Sequence, residues 1–283
     1  MFRSCVSILL FSAYLTAKSP DFDRARELYQ CTEYRDSLSI LSPIVQKDAA
    51  TLGLIGQNYF MIGEYKKATE ALEKAVAMEP NNAGFAHWLG RTYGRRAELG
   101  SPFTAPGYAT RARQMFEKSV ALEPANKGAA GDLLDFYLEA PGLLGGGIRK
   151  AEELAAHIAR TDPAEGHYAQ AQIEEKRKEY NSAEQHLRLA WQLGPGQVGR
   201  LMDLAMFLAK RGRFNESEAL FDQAASMAPS NAKILFERAN TYIGGQRNLD
   251  QARQLLERYI RARLTPDDPP RERAEALLKK IGA

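Results

Sequence analysis

Apolar residues recur along most of this chain at spacings of three and four, which places them on one face of a helix. Residues 51–62 carry Leu54, Ile55, Tyr59 and Ile62 in that register. Gly63 and Glu64 then break the pattern, and residues 65–78 resume it with Ala68, Ala71, Leu72, Ala75 and Val76. Pro80 follows, and proline stops a helix because it lacks the N–H and disfavours helix at the residue before it. The pattern predicts two antiparallel helices joined by a short turn. A lone pair of this size cannot bury its apolar face and needs neighbours stacked on it.

The same phrase returns. The stop prolines are Pro80, Pro124, Pro163, Pro195 and Pro229, spaced by 44, 39, 32 and 34 residues. This is a period of about 34 with insertions in the two longest units. The small residue of the first helix is Ala25, Gly56, Gly90, Ala171, Ala205 and Ala239. The small residue opening the second is Ser37, Ala68, Ala112, Ala151, Ala183, Ser217 and Ala252. Four further on stand Leu41, Leu72, Phe116, Leu187, Phe221 and Leu256. One unit departs, with Leu134 where a small residue is expected and Ala155 where a large one is, and the two changes can offset each other across one interface. In the last unit Tyr259 takes a small position.

With that period and those small positions, the chain resembles a tetratricopeptide repeat protein over nearly everything after residue 17. The resemblance implies an all-α, right-handed superhelical solenoid of about seven hairpins, spanning residues 18–264. Residues 265–270 read as a break. Residues 271–283 read as a capping helix, with Ala274, Leu277, Leu278 and Ile281 on one face and Arg271, Arg273, Lys279 and Lys280 on the other. In the first hairpin, Pro43 is expected to kink the second helix. The insertions, PFTAPG and APGLLGGG, fall at the same hairpin turn of adjacent units and are expected as loops side by side on one edge. Such loops are similar to those of some bacterial exported repeat proteins, a likeness that brings no activity with it.

Residues 1–17 read as a secretory signal peptide: Arg3 leads, and an apolar run from Val6 to Leu15 follows. The run is short of the ~20 residues of a membrane span. Export to a bacterial periplasm or exterior is therefore expected. A retained N-terminal helix is the other reading. Removal of this segment takes Cys5 and leaves Cys31 as a single thiol.

Charge and motifs narrow the function. With 38 basic and 35 acidic residues, the net charge is only +3 and gives no general attraction to nucleic acid. Gly145-Gly146-Gly147 is followed by Ile148-Arg149-Lys150, without the Ser or Thr of a phosphate loop, and it joins helices rather than following a strand. His87, His157, His167 and His186 form no metal-ligand spacing. No nucleophile–base motif occurs. The sequence thus supplies no cofactor, metal or catalytic residue.

The resemblance implies binding of a peptide or partner segment in the concave groove, lined by the first helix of each pair. By register that face includes Phe22, Arg26, Tyr29, Gln57, Phe60, His87, Arg91, Arg95, Asp135, Tyr168, Gln172, Met202, Met206, Phe236 and Asn240. Aromatic and methionine side chains give adaptable apolar contact, and arginine reads carboxylates. The Lys/Asn clamp by which some of these proteins hold a C-terminal carboxylate is absent. Phe103, Tyr108, Leu143 and Leu144 make the inserted loops a second candidate surface, for contact or for shielding the core. Self-assembly through the terminal hairpins, or an enzyme beneath the inserted loops, are the rival functions.

Overall fold

The computed structural model describes residues 20–282. The signal-peptide reading of residues 1–17 lies outside them. The described residues form fifteen α-helices: α1 Pro20–Gln30, α2 Tyr34–Leu41, α3 Ala49–Met61, α4 Tyr65–Met78, α5 Ala83–Glu98, α6 Ala105–Leu122, α7 Lys127–Glu139, α8 Ile148–Thr161, α9 Pro163–Arg177, α10 Tyr180–Leu193, α11 Val198–Lys210, α12 Phe214–Met227, α13 Ala232–Gly244, α14 Leu249–Arg261 and α15 Arg271–Gly282. Consecutive pairs make seven hairpins, and α15 packs on α14 as a cap. Ala274 is fully buried there, with Leu277, Leu278 and Ile281 against the last hairpin's core.

The small positions are where the helices meet. Ser37, Ala68, Ala112, Ala151, Ala183, Ser217 and Ala252 are all fully buried. A methyl group on Gly56 would stand 2.4 Å from Leu72 Cγ, and one on Gly90 would stand 2.7 Å from Phe116 Cδ1. Each glycine therefore faces the large residue of its own repeat's second helix. Leu134 and Ala155 are both buried in the same core cluster. Tyr259 is also fully buried: its ring lies 5.2 Å from that of Phe236, and its hydroxyl donates to the Pro269 carbonyl.

Helix starts follow from capping. Asp48, Asn82, Asn126, Asp162 and Asn231 each stand just before a first helix and accept a hydrogen bond from the backbone N–H of Thr51, Phe85, Ala129, Glu165 or Lys233 at 2.8–3.1 Å. Each satisfies one of the donors that a helix start leaves free.

Four boundaries differ from the sequence expectation. Pro43 does not kink α2: the helix ends at Leu41, and although Ser42 keeps helical angles (φ −62°, ψ −41°) and donates to the Leu38 carbonyl, Pro43 has no N–H with which to extend the ladder. Pro163 does not stop α8. Asp162 both closes α8 and caps α9, and Pro163 is the first residue of α9, where its missing N–H costs nothing. The last hairpin ends at Arg261, short of Leu264. The second half of the PFTAPG insertion is helical, since α6 begins at Ala105 with Pro106 in its first turn. Only residues 99–104 are loop, and Tyr108 sits on a helix.

The one-residue junction at Asp162 forces α8 and α9 together. A methyl on Gly166 would lie 2.4 Å from Ala159 Cβ and 2.6 Å from its Cα. Gly166→Ala should therefore destabilise the chain by about 1–3 kcal/mol through overpacking against backbone. Gly131→Ala, on α7 with no atom within 4 Å of the added carbon, should instead stabilise it by about 0.5–1 kcal/mol. Denaturant melts of the two variants check the contrast.

Candidate functional site

The two insertions lie together and roof a cleft. It encloses about 680 Å³ between α5, α6 and α7, at the hairpin-turn end of the concave face. Its floor is apolar: Phe60 from α3, Phe116 and Ala112 from α6, and Phe136 from α7. Pro102, Pro106 and Ala109 close one side, and Pro141 and Leu144 the other. The cleft thus joins the two surfaces expected separately, taking Phe60, Arg91, Arg95 and Asp135 from the groove and Leu144 from the inserted turns.

The glycine run shapes the roof. Gly145 and Gly147 have φ of 92° and 137°, in the left-handed region that favours glycine. A side chain on Gly146 would strike the Ala140 carbonyl at 1.9 Å. The N–H groups of Gly145, Gly146 and Gly147 donate to the carbonyls of Gly142, Pro141 and Tyr137 at 2.9, 3.3 and 2.7 Å. Those donors are used within the turn, which is therefore a structural turn and not a phosphate cradle.

Charged groups line the walls, and most are already satisfied. Arg91 lies over the rings of Trp88 and Phe60, at 4.4 and 4.9 Å, with its Nε 3.6 Å from Asp132. His87 Nε2 is 2.7 Å from the same Asp132 oxygen. Arg95 pairs with Glu98 and donates to the Tyr65 hydroxyl at 3.4 Å. Glu139 pairs with Lys176 at 2.9 Å. Asp135 differs: it makes no hydrogen bond or ion pair among the described residues. It is exposed, and it lines the cleft together with Asp132 and Glu139. Lost hydration first, then those two carboxylates, push its pKa up to about 6.

The other expected groove residues lie elsewhere. Phe22, Arg26, Tyr29 and Gln57 line a second cleft at the first two hairpins, although Phe22 and Tyr29 are themselves buried. Met202 and Phe236 are 4% and 1% exposed, so both are core and not groove contacts. Met202 shares a core cluster with Ile234 of the next hairpin, and Phe236 packs on Tyr259 of its own. Met206 packs partly against the core that holds Met202. Tyr168 is covered by Arg200, whose Cζ stands 3.6 Å above its ring and whose guanidinium grips both Glu165 oxygens at 2.8 and 2.7 Å. Gln172 and Asn240 are half-buried outside the cleft.

Among the inserted-loop candidates, Tyr108 packs against the core and its hydroxyl accepts from Arg96, so it shields rather than projects. Phe103 and Leu143 are 95% and 87% exposed and project outside the cleft. Sequence reasoning missed Phe116, Phe136 and Asp132 as cleft residues. The first two follow the apolar register of their helices like any core residue. Asp132 betrays its place only by standing one turn before Asp135. Among the described residues, no three metal-ligating side chains gather, and no helix is long and apolar enough to cross a membrane.

Comparison with known proteins agrees with this architecture. Tetratricopeptide-repeat family models match residues 49–82 and 202–269. The fold is similar to that of a tetratricopeptide repeat protein from Parabacteroides merdae (TM-score 0.57, 13% identity, 93% of this chain and 98% of that one). It is also similar to a thermophilic protein of the same repeat from Thermus thermophilus (TM-score 0.52, 18% identity, 66% and 97%). At such identities the likeness is one of fold. No curated protein matches the sequence.

The carboxylate of Asp135 gives a pH signature. Its pKa is about 6 in the folded chain against an ordinary 3.8, so the fold favours the protonated form. Stability should therefore fall as pH rises from about 4 to about 6 and stay lowered above that. Asp135→Asn should melt higher than the wild type above this window and equally below it. Thermal melts across the range check this.

Proposed function

We propose that this chain of tetratricopeptide repeats is a non-catalytic scaffold that holds an extended segment of a partner protein in the cleft between α5 and α7. The observation that carries the reading is the combination of an aromatic floor with one unpaired carboxylate. Phe60, Phe116 and Phe136 give an apolar anchor a place to displace water. Asp135, without a partner and beside the like charges of Asp132 and Glu139, gains from a cation. Arg91 and Arg95 are occupied by carboxylates and aromatic rings, which leaves them little to offer an acidic ligand. The segment is therefore one with an aliphatic or aromatic residue near a lysine or arginine. Residues 1–17 support an exported location in a bacterial envelope, to be checked by the N-terminus of the mature protein. Self-assembly and catalysis beneath the inserted turns have no comparable observation in their favour.

Selection from a phage-displayed library of linear peptides tests the reading. Enrichment of peptides with a basic residue beside an apolar one is expected. Asp135→Asn should weaken the selected peptide by roughly tenfold, the loss of one charge-assisted contact. Enrichment of acidic peptides, or binding untouched by Asp135→Asn and by Phe136→Ala, would overturn it.

A further inference from the structure

The two ends of the solenoid touch. The Arg271 guanidinium, at the start of the capping helix, donates from Nε to the Ile260 carbonyl and from Nη2 to the Ala262 carbonyl, both at 3.1 Å. These bonds fix it on its own end of the chain. Its remaining nitrogen, Nη1, donates at 3.1 Å to Thr32 Oγ1, in the turn of the first hairpin. Around this contact, Thr32, Tyr34 and the second hairpin's turn (Ile62, Gly63) face Pro269 and Pro270 of the linker across a narrow cleft. Tyr259 holds that linker from below through the Pro269 carbonyl.

Thr32 shows that the contact has a local cost. It sits at φ 63°, the left-handed position that closes the first helix of a hairpin. At the equivalent turns the second and sixth hairpins have Gly63 and Gly212, at φ 80° and 76°, and the fifth and seventh have the unbranched Lys178 and Gln246, at 63° and 49°. A β-branched residue is strained in this region, where glycine is not. What threonine supplies and glycine cannot is the hydroxyl that meets Arg271.

We infer that Thr32 and Arg271 latch the first hairpin to the capping segment, so that the concave face is a closed bore whose occupant enters end-on as an extended chain. This rests on the binding reading above for the occupant, and on the structure alone for the latch. The latch also adjoins the binding cleft. Tyr65 lines the narrow cleft at the latch, packs edge-on to Phe60 at 5.5 Å, and accepts the Arg95 bond, and both of those residues line the larger cleft.

Spin labels at Ser39→Cys and Glu275→Cys, in a Cys5→Ser and Cys31→Ser background, test the latch by pulsed electron resonance without any ligand. One short, narrow distance is expected for the full chain. Arg271→Ala and Thr32→Gly should both lengthen and broaden it. Thr32→Gly is the telling variant, because it relieves backbone strain and should leave the melting temperature unchanged or raised while still opening the ring. A broad distribution without these changes, or a distance that neither variant moves, overturns the latch. The peptide from the selection above is then compared bare and with a folded domain fused at each end. The doubly fused form should associate about tenfold more slowly with the latched chain and recover speed with Arg271→Ala. Equal rates for the two forms on the latched chain overturn the closed bore. Failure to select any peptide would count against the binding reading only, since the distance measurement needs none.

Discussion

Everything in this molecule depends on how closely two helices can approach. Wherever a glycine, alanine or serine of one helix faces a leucine or phenylalanine of its neighbour, the backbones draw together and the large side chain fills the groove that results. Packing at near-crystalline density tolerates little error at such points. The contact repeats once per hairpin, and each hairpin touches little beyond its neighbours. Curvature is then the sum of many small, similar rotations rather than the result of any single long-range contact.

The insertions use this regularity without disturbing it. They enter at hairpin turns, where the chain leaves and re-enters the helical layers, so the small-to-large contacts beneath them are kept. One runs from a short loop into the first turn of α6, and the other becomes a glycine-closed turn whose N–H groups are spent internally. Their combined effect is to deepen one interval of a uniform surface. That interval is also where a carboxylate lacks a partner, so shape and charge are distinctive at the same place.

The fold was legible because its determinants are periodic. Gly56, Ala68 and Leu72 announce their packing by type and spacing, and the same triplet returns along the chain. Boundaries were less legible. Pro163 stands at the spacing of a stop signal, but proline suits the first turn of a helix as well as the residue after one, and Asp162 before it decides the matter. Groove residues were legible only in part. Phe60, Arg91 and Arg95 line the cleft, while Met202 and Phe236 are buried. A helix face that points inward also points sideways at the next hairpin, and a modest rotation separates a lining residue from a core one. The meeting of the two ends was invisible in the sequence, since nothing local links Thr32 to a residue at the far terminus.

The junction at Asp162 has a mechanical meaning. Elsewhere the hairpins are joined by several residues, and such joints can give under load. Here two helices share one capping residue and press an alanine against a glycine, so the fourth and fifth hairpins behave as one stiff block. When the solenoid flexes, its strain must collect on either side of that block. The deepened interval lies at one edge of it, and the arginine-covered face of Tyr168 is inside the block itself. Of the cleft's walls, α7 belongs to that block, whereas α5 and α6 stand outside it.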